Sequence, residues 1–94
     1  MRVVWSPEAI ADMGTAIDYL VERNPEAAER LARGIVAVAE QLASDPVGGP
    51  EHVLRNGERV RSWPHRPFRI YCQRRSDSLV ILRVYHQRRM PIVR

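Results

Sequence analysis

A chain of 94 residues fits one domain, here residues 1–94, with room for one modest core. Its single cysteine, Cys72, excludes an internal disulfide, and the sequence contains neither zinc-type Cys/His spacing nor a glycine-rich phosphate loop, so we expect no metal or other cofactor. It shows no signal peptide and no long apolar run, which predicts a cytoplasmic protein without a membrane partner.

Charge is divided unevenly along the chain. Residues 1–50 hold four arginines and eight acidic residues, whereas residues 51–94 hold eleven arginines and three acidic residues. Lysine is absent, and the planar guanidinium of arginine suits two-point recognition of carboxylate or phosphate. The basic second half therefore predicts an anionic partner.

A short strand and a helix are predicted first. The apolar run at positions 3–5 favours a strand over 1–5, at or near a sheet edge. Ser6 and Pro7 are typical of the N-cap and first position of a helix, which we expect over about 7–22. Its apolar stripe is predicted to be Ile10, Met13, Ile17 and Leu20. Its solvated polar face is predicted to include Asp12, Asp18 and Glu22.

A second helix is predicted to begin almost at once. Asn24 and Pro25 repeat the helix start signal. Pro46 disfavours helical geometry in the residue before it, so the helix should end by Ser44 or Asp45. The short connection predicts an antiparallel hairpin whose stripes face each other and the sheet. The second stripe is Ala28, Leu31, Ile35, Val38 and Leu42.

Two glycines, Gly14 and Gly34, lie inside the predicted helices. Each costs about 1 kcal/mol relative to alanine in an exposed helix interior. We interpret both as sites of close packing between the helices, with simple tolerance as the alternative.

Three β-patterned runs follow a loop at 47–51. They cover 58–63, 67–73 and 79–85. A turn at 64–67 and a short polar loop predict antiparallel neighbours, and Pro91 should end the last strand. The element order β-α-α-β-β-β predicts an α+β fold, with the helical hairpin on one face of a small, mainly antiparallel sheet.

Strict alternation assigns the two faces of this sheet. The core face is predicted to hold Phe68, Ile70, Cys72, Val80, Leu82 and Val84. The opposite face is predicted to hold Arg59, Arg61, Arg69, Tyr71, Arg83 and Tyr85. Such a face suits an anionic partner. The binding candidates are Arg59, Arg61, Arg69, Arg83, Arg88 and Arg89.

An ordered set of short motifs runs through the chain. They are Val4-Trp5-Ser6-Pro7-Glu8-Ala9, Asp12, Ile17, Tyr19, Asn24-Pro25, Ala27-Ala28, Leu42, Asp45-Pro46, Gly57, Arg59, Phe68-Arg69-Ile70 and Ile81-Leu82-Arg83-Val84 with His86. Together they resemble the RelE/ParE superfamily of toxins from bacterial type II toxin–antitoxin systems, nearer to ParE. The resemblance implies a toxin neutralised by a cognate antitoxin whose C-terminal segment wraps it.

The resemblance implies two possible targets. ParE-like members poison DNA gyrase by binding it, and RelE-like members cut messenger RNA on the ribosome. The long capped hairpin and the absence of lysine favour a non-enzymatic gyrase inhibitor, in which the hairpin and the basic C-terminal region engage gyrase.

The alternative is an enzyme, a ribosome-dependent mRNA endoribonuclease. Arg69 and Arg83 would then bind phosphate, and His86 or Tyr85, or else His65, would transfer protons, since arginine is a poor general base. Alternation also points His86 inward, which gives it a structural alternative. A third hypothesis, a non-toxic nucleic-acid-binding module, predicts steeply salt-dependent RNA affinity.

Overall fold

The computed structural model describes residues 1–44 and 50–86. Its elements are β1 (Arg2–Trp5), α1 (Pro7–Arg23), α2 (Pro25–Ser44), β2 (Glu51–Val53), β3 (Arg59–His65), β4 (Phe68–Arg74) and β5 (Ser78–His86). The α+β prediction is confirmed, and the structure adds β2, which is too short to show alternation. Neither described helix combines the length and apolar character needed to cross a membrane. Pro91 lies outside the described residues.

The five strands form one sheet in the order β1-β5-β4-β3-β2. β1 runs parallel to β5, and every other neighbouring pair is antiparallel. β1 therefore lies at a sheet edge, as predicted. The helices pack against each other and on one side of the sheet. We name this the helix side, and the opposite side the far side.

Side chains cap both helices as the sequence predicted. Ser6 Oγ accepts a hydrogen bond from the N–H of Ala9 at 3.0 Å, and Asn24 Oδ1 accepts one from the N–H of Ala27 at 3.1 Å. A cap of this kind contributes about 1 kcal/mol. Ser6 Oγ also donates to the carbonyl oxygen of Leu82 at 2.8 Å, which ties the start of α1 to β5.

The core lies between the hairpin and the helix side of the sheet. Its buried members are Ala9, Leu31, Ile35, Ala39, Leu42, Ala43, Ile70, Cys72, Leu79, Ile81 and Val84. Cys72 is a buried free thiol, in the inward position that alternation predicted. The α2 stripe is likewise confirmed, because Leu31, Ile35 and Leu42 are all buried.

The predicted stripe of α1 is only partly correct. Met13 and Leu20 pack against the core, but Ile10 is 60% exposed. Ala9 is the buried residue of α1 instead, and Ala16 packs beside it. The small alanine side chains allow α1 to lie close to the sheet, which turns Ile10 outward.

β5 contains a bulge that reverses half of its predicted pattern. The pairing with β4 shifts by one residue and skips Leu82. Leu79 and Ile81 consequently lie in the core in place of Val80, whereas Val84 lies in the core as predicted. When a strand contains one extra residue, the side chains beyond that residue point to the opposite face from the one that strict alternation predicts. Alternation alone therefore misplaced the first half of β5.

The two helix glycines have different surroundings, and neither marks close packing between the helices. A Cβ atom on Gly34 would lie 2.6 Å from Cε1 of His65. Gly34 therefore makes room for a side chain of β3. A Cβ atom on Gly14 would meet no heavy atom within 4 Å, so Gly14 is simply tolerated by the fold.

Candidate functional site

Strand pairing brings four predicted residues together on the far side. Arg69 pairs with Tyr85, and Tyr71 pairs with Arg83. The rings of Tyr71 and Tyr85 meet edge to face, with centroids 6.0 Å apart. The guanidinium carbon of Arg83 lies 4.4 Å from the centroid of the Tyr85 ring, a cation–π distance. We name these four residues the arginine–tyrosine cluster.

A buried serine holds Arg69 in place. Arg69 Nη1 donates to Ser62 Oγ at 2.8 Å, and His52 Nε2 lies 2.7 Å from the same oxygen. Ser62 is fully buried. Because guanidinium only donates, Ser62 Oγ must accept from Arg69, and its own proton can be directed to an unprotonated Nε2 of His52. The His52 ring also lies beside Tyr71, with centroids 5.8 Å apart.

A carboxylate of α1 holds Arg83. Arg83 Nε and Nη2 donate to the two oxygens of Asp12 at 2.8 and 2.9 Å, which is a bidentate pair. One of these oxygens also accepts the N–H of Val84 at 2.9 Å. The hydrogen bonds to Asp12 outweigh burial and raise the pKa of Arg83 above its ordinary value. The guanidinium therefore stays charged, with its orientation set by α1.

Sequence reasoning missed three residues of this site: Asp12, His52 and Ser62. The sequence pattern places Asp12 on a solvated helix face, but its side chain is only 9% exposed. Its partner Arg83 is 71 positions away in the chain. Such a contact leaves no local pattern in the sequence. His52 and Ser62 likewise meet only because β2 pairs with β3.

Arg59 and Arg61 do not join the cluster. The register of β3 with β4 places Arg61 opposite a core residue, on the helix side. Both arginines instead face Glu51, with nitrogen–oxygen distances of 2.8 Å for Arg59 and 3.9 Å for Arg61. The sequence prediction placed both arginines on the far side, and this is wrong. Alternation shows only that they share a face, whereas the register with β4 decides which face that is. Arg88 and Arg89 lie outside the described residues.

The predicted proton-transfer histidines lie away from the cluster. His86 is half buried on the helix side, where its ring meets the Phe68 ring edge-on at 5.5 Å. His65 packs against Gly34. Tyr85 is the member of the predicted catalytic set that stands next to Arg69. Within the described residues, no three His, Cys, Asp or Glu side chains are grouped to hold a metal.

A groove of about 730 Å³ opens between the hairpin and the β3–β4 turn. We name it the hairpin groove. Its apolar lining includes Ala16, Leu20, Leu31, Pro67, Phe68 and Val84. Its basic lining residues are Arg30, His65, Arg66 and His86. The acid that lines the described groove is Asp12, and Asp12 is already paired with Arg83. An apolar segment that carries acidic residues fits this lining.

Comparison with known proteins gives two positive findings. The family model for the ParE toxin of the type II toxin–antitoxin system parDE matches residues 3–91. A solved structure described as a chromosomal ParDE TA system from P. aeruginosa is similar with a TM-score of 0.75. The two chains share 23% identity, and the match covers 92% of this chain and 95% of that one. No curated protein matches the sequence significantly.

Proposed function

Because the chain belongs to the ParE toxin family of type II toxin–antitoxin systems, we propose that it inhibits growth by binding DNA gyrase and that a cognate antitoxin neutralises it. The arginine–tyrosine cluster is the observation that carries this proposal. Arg69 and Arg83 are each held by an acceptor of their own chain. Side chains that are already ordered lose little entropy on binding, so the cluster suits recognition of an acidic surface.

The geometry supports binding over RNA cleavage. An endoribonuclease needs a proton donor or acceptor beside the arginines that bind phosphate. His86 belongs to the other side of the sheet, and His52, which reaches Arg69 through Ser62 Oγ, is engaged with that buried serine. Tyr85 does stand beside Arg69. Ribosome-dependent mRNA cleavage is therefore the second candidate, and the same experiment tests it.

The hairpin groove is the proposed docking site of the antitoxin. Its apolar lining can accept the apolar side of a segment that folds on binding. Its basic residues, among them Arg30 and Arg66, would attract acids on that segment. Complementary charge mainly accelerates association, and buried apolar contacts mainly slow dissociation.

The test combines gyrase supercoiling and cleavage-complex assays with in vitro translation of a defined message. Purified toxin is expected to accumulate cleaved-DNA complexes of gyrase and to leave the message intact. Prior addition of the antitoxin should restore supercoiling. Supercoiling that is untouched at a large excess of toxin would refute the gyrase proposal. Message cut only in the presence of ribosomes would establish the second candidate.

Two matched arginine variants test the role of the cluster. Arg69→Gln is expected to raise the toxin concentration for half-inhibition by about tenfold, the size of a modest interface hot spot. Arg59→Gln makes the same chemical change on the helix side and should leave inhibition within about twofold. Circular dichroism melting checks that both variants fold. Equal losses of inhibition would mean that net charge, and not the cluster, binds the target.

A further inference from the structure

α1 carries a row of apolar residues on the flank of the helix that borders its core contacts. Ile10, Gly14, Ile17 and Val21 follow at spacings of four, three and four residues, so they form one row along the helix. Ile10 is 60% exposed and Val21 is 48% exposed, while Ile17 is half buried. We name this row the outer stripe. It is an apolar helix face that no described element of the fold covers completely.

The outer stripe has the dimensions and shape that suit a helix. Ile10 and Val21 are separated by about three turns, or roughly 16 Å along the axis. Gly14 lies within the row, and the position of its missing Cβ has no heavy atom within 4 Å. A glycine without neighbours allows a partner to approach the backbone closely. A partner helix of about three turns would therefore cover the stripe.

The charge beside the outer stripe is negative. Asp18 lies four residues after Gly14, and Glu22 lies four residues after Asp18, so the two acids form a neighbouring row one turn apart. Both are exposed. Among the described residues, neither forms a salt bridge or a side-chain hydrogen bond.

The arginines of the two helices point to other partners. Arg23 donates to the carbonyl oxygen of Tyr19, and its guanidinium carbon lies 3.8 Å from the centroid of the Tyr19 ring. Arg33 pairs with Glu29. Arg30 lines the hairpin groove. The charge of Asp18 and Glu22 is therefore available to an incoming cation.

We propose that the outer stripe docks a basic amphipathic helix of a partner protein. Two arginine or lysine residues, one turn apart beside the apolar row of that helix, would meet Asp18 and Glu22. A second copy of this chain fits poorly, because it would bring these acids towards their own counterparts.

This partner also differs in charge from the acidic segment proposed for the hairpin groove. Groove-lining Thr15 and Tyr19 lie on the opposite side of α1 from the outer stripe. The two surfaces can therefore be occupied at the same time.

Two probe peptides test this proposal with the full chain. They share one leucine row over about four helical turns and differ only in the residues beside it, which are arginine in one and glutamate in the other. Fluorescence anisotropy should show the arginine probe binding at least about tenfold more tightly at low salt, with the difference shrinking as salt is added. Equal affinity for the two probes would overturn the proposal.

Variants separate docking from folding. Gly14→Leu adds a side chain over open space, so the fold should be kept, while affinity for the arginine probe should fall by about tenfold. Asp18→Asn combined with Glu22→Gln should remove the preference for the arginine probe. Val53→Ser, at an exposed apolar residue of β2, is the matched control and should change neither property.

Two further outcomes decide whether the outer stripe is the docking surface. If the Gly14→Leu chain bound the arginine probe as tightly as the wild type and kept the wild-type melting curve, the outer stripe would not be the docking site. Sedimentation equilibrium identifies the occupant. A dimer that Gly14→Leu dissociates would make the stripe a self-association face and overturn the proposal, whereas a monomer that binds the arginine probe supports it.

Discussion

Asp12 joins α1 to β5 through three hydrogen bonds, two from Arg83 and one from the backbone of Val84. The Asp12 side chain is nearly buried. Removing it would leave a partly buried guanidinium and a backbone N–H without their acceptor, which costs more than the net value of the bonds themselves. The same carboxylate orients Arg83 over Tyr85, so stability and the proposed recognition surface depend on one residue.

Asp12→Ala is therefore expected to lower the free energy of unfolding by about 2–3 kcal/mol. Urea denaturation followed by circular dichroism measures this change. Asp18→Ala is the matched control, because Asp18 is an exposed acid of the same helix without a salt bridge in the described chain, and its effect should stay within about 0.5 kcal/mol. Similar losses in the two variants would show that the pair does not stabilise the fold.

Two buried groups give the protein a dependence on alkaline pH. Burial raises the pKa of the Cys72 thiol above 9.0 and that of the Tyr71 phenol above 10.0, against the opposing effect of nearby arginines. As pH rises, the unfolded chain loses these protons before the folded chain does. The unfolded state then binds fewer protons, so the free energy of unfolding falls as pH passes upward through about 9 to 10.

Denaturation at a series of pH values between 8 and about 10.5 measures this loss. Cys72→Ala should remove the part of this loss that begins near pH 9.0. Tyr71→Phe should remove the part that begins near pH 10.0. If the free energy of unfolding of both variants fell with pH as steeply as that of the wild type, other groups would be responsible for the alkaline loss.

At the scale of elements, α2 and β3 meet where Gly34 receives the ring of His65. Gly34→Ala forces this ring to move and is expected to destabilise the protein by about 1–3 kcal/mol. Gly14→Ala makes the same change over open space and should stabilise it by up to about 1 kcal/mol, the difference in helix propensity. Thermal and urea unfolding of the two variants measure both effects.

A double-mutant cycle checks the cause. His65→Ala in the Gly34→Ala chain should recover part of the lost stability, because the colliding ring is then gone. Strictly additive effects of the two substitutions would show that the ring is not the obstacle. If the Gly34→Ala chain were as stable as the Gly14→Ala chain, the close contact between the His65 ring and Gly34 would be contradicted.

Element boundaries followed from the sequence more closely than strand faces did. Ser6 and Asn24 cap their helices within a few residues of chain, so their signal is local. The face of each residue in β5 depends instead on the bulge at Leu82, which forms through pairing with β4. The position of Ile10 likewise depends on how closely α1 approaches the sheet. Packing between distant elements overrode periodicity at both places.

At the scale of the whole molecule, the uneven division of charge predicts how the antitoxin is captured. If an acidic segment enters the basic lining of the hairpin groove, its association rate should fall by at least about tenfold between low and high salt. Its dissociation rate should change by less than about threefold, because apolar contacts set it. Stopped-flow mixing of toxin and antitoxin at several salt concentrations measures both rates.

Arg66→Glu and Arg75→Glu separate local from global charge. Each changes the net charge by the same amount, but Arg66 lines the groove, whereas Arg75 lies between β4 and β5 and hydrogen-bonds to Gln73. Only Arg66→Glu should slow association strongly. Equal slowing by the two variants would mean that net charge, rather than the groove, steers the antitoxin.

The element order, the helix caps, the basic second half and the family resemblance could be predicted from the sequence alone. Each of them depends on residues close together in the chain or on their ordered succession. Tertiary packing set which arginines share a face, which of them are held by Ser62 or Asp12, and that His65 and His86 lie away from Arg69. These features arise from strand register, one bulge and the approach of α1 to the sheet. All three depend on contacts between residues far apart in the chain, and such contacts leave no local periodicity.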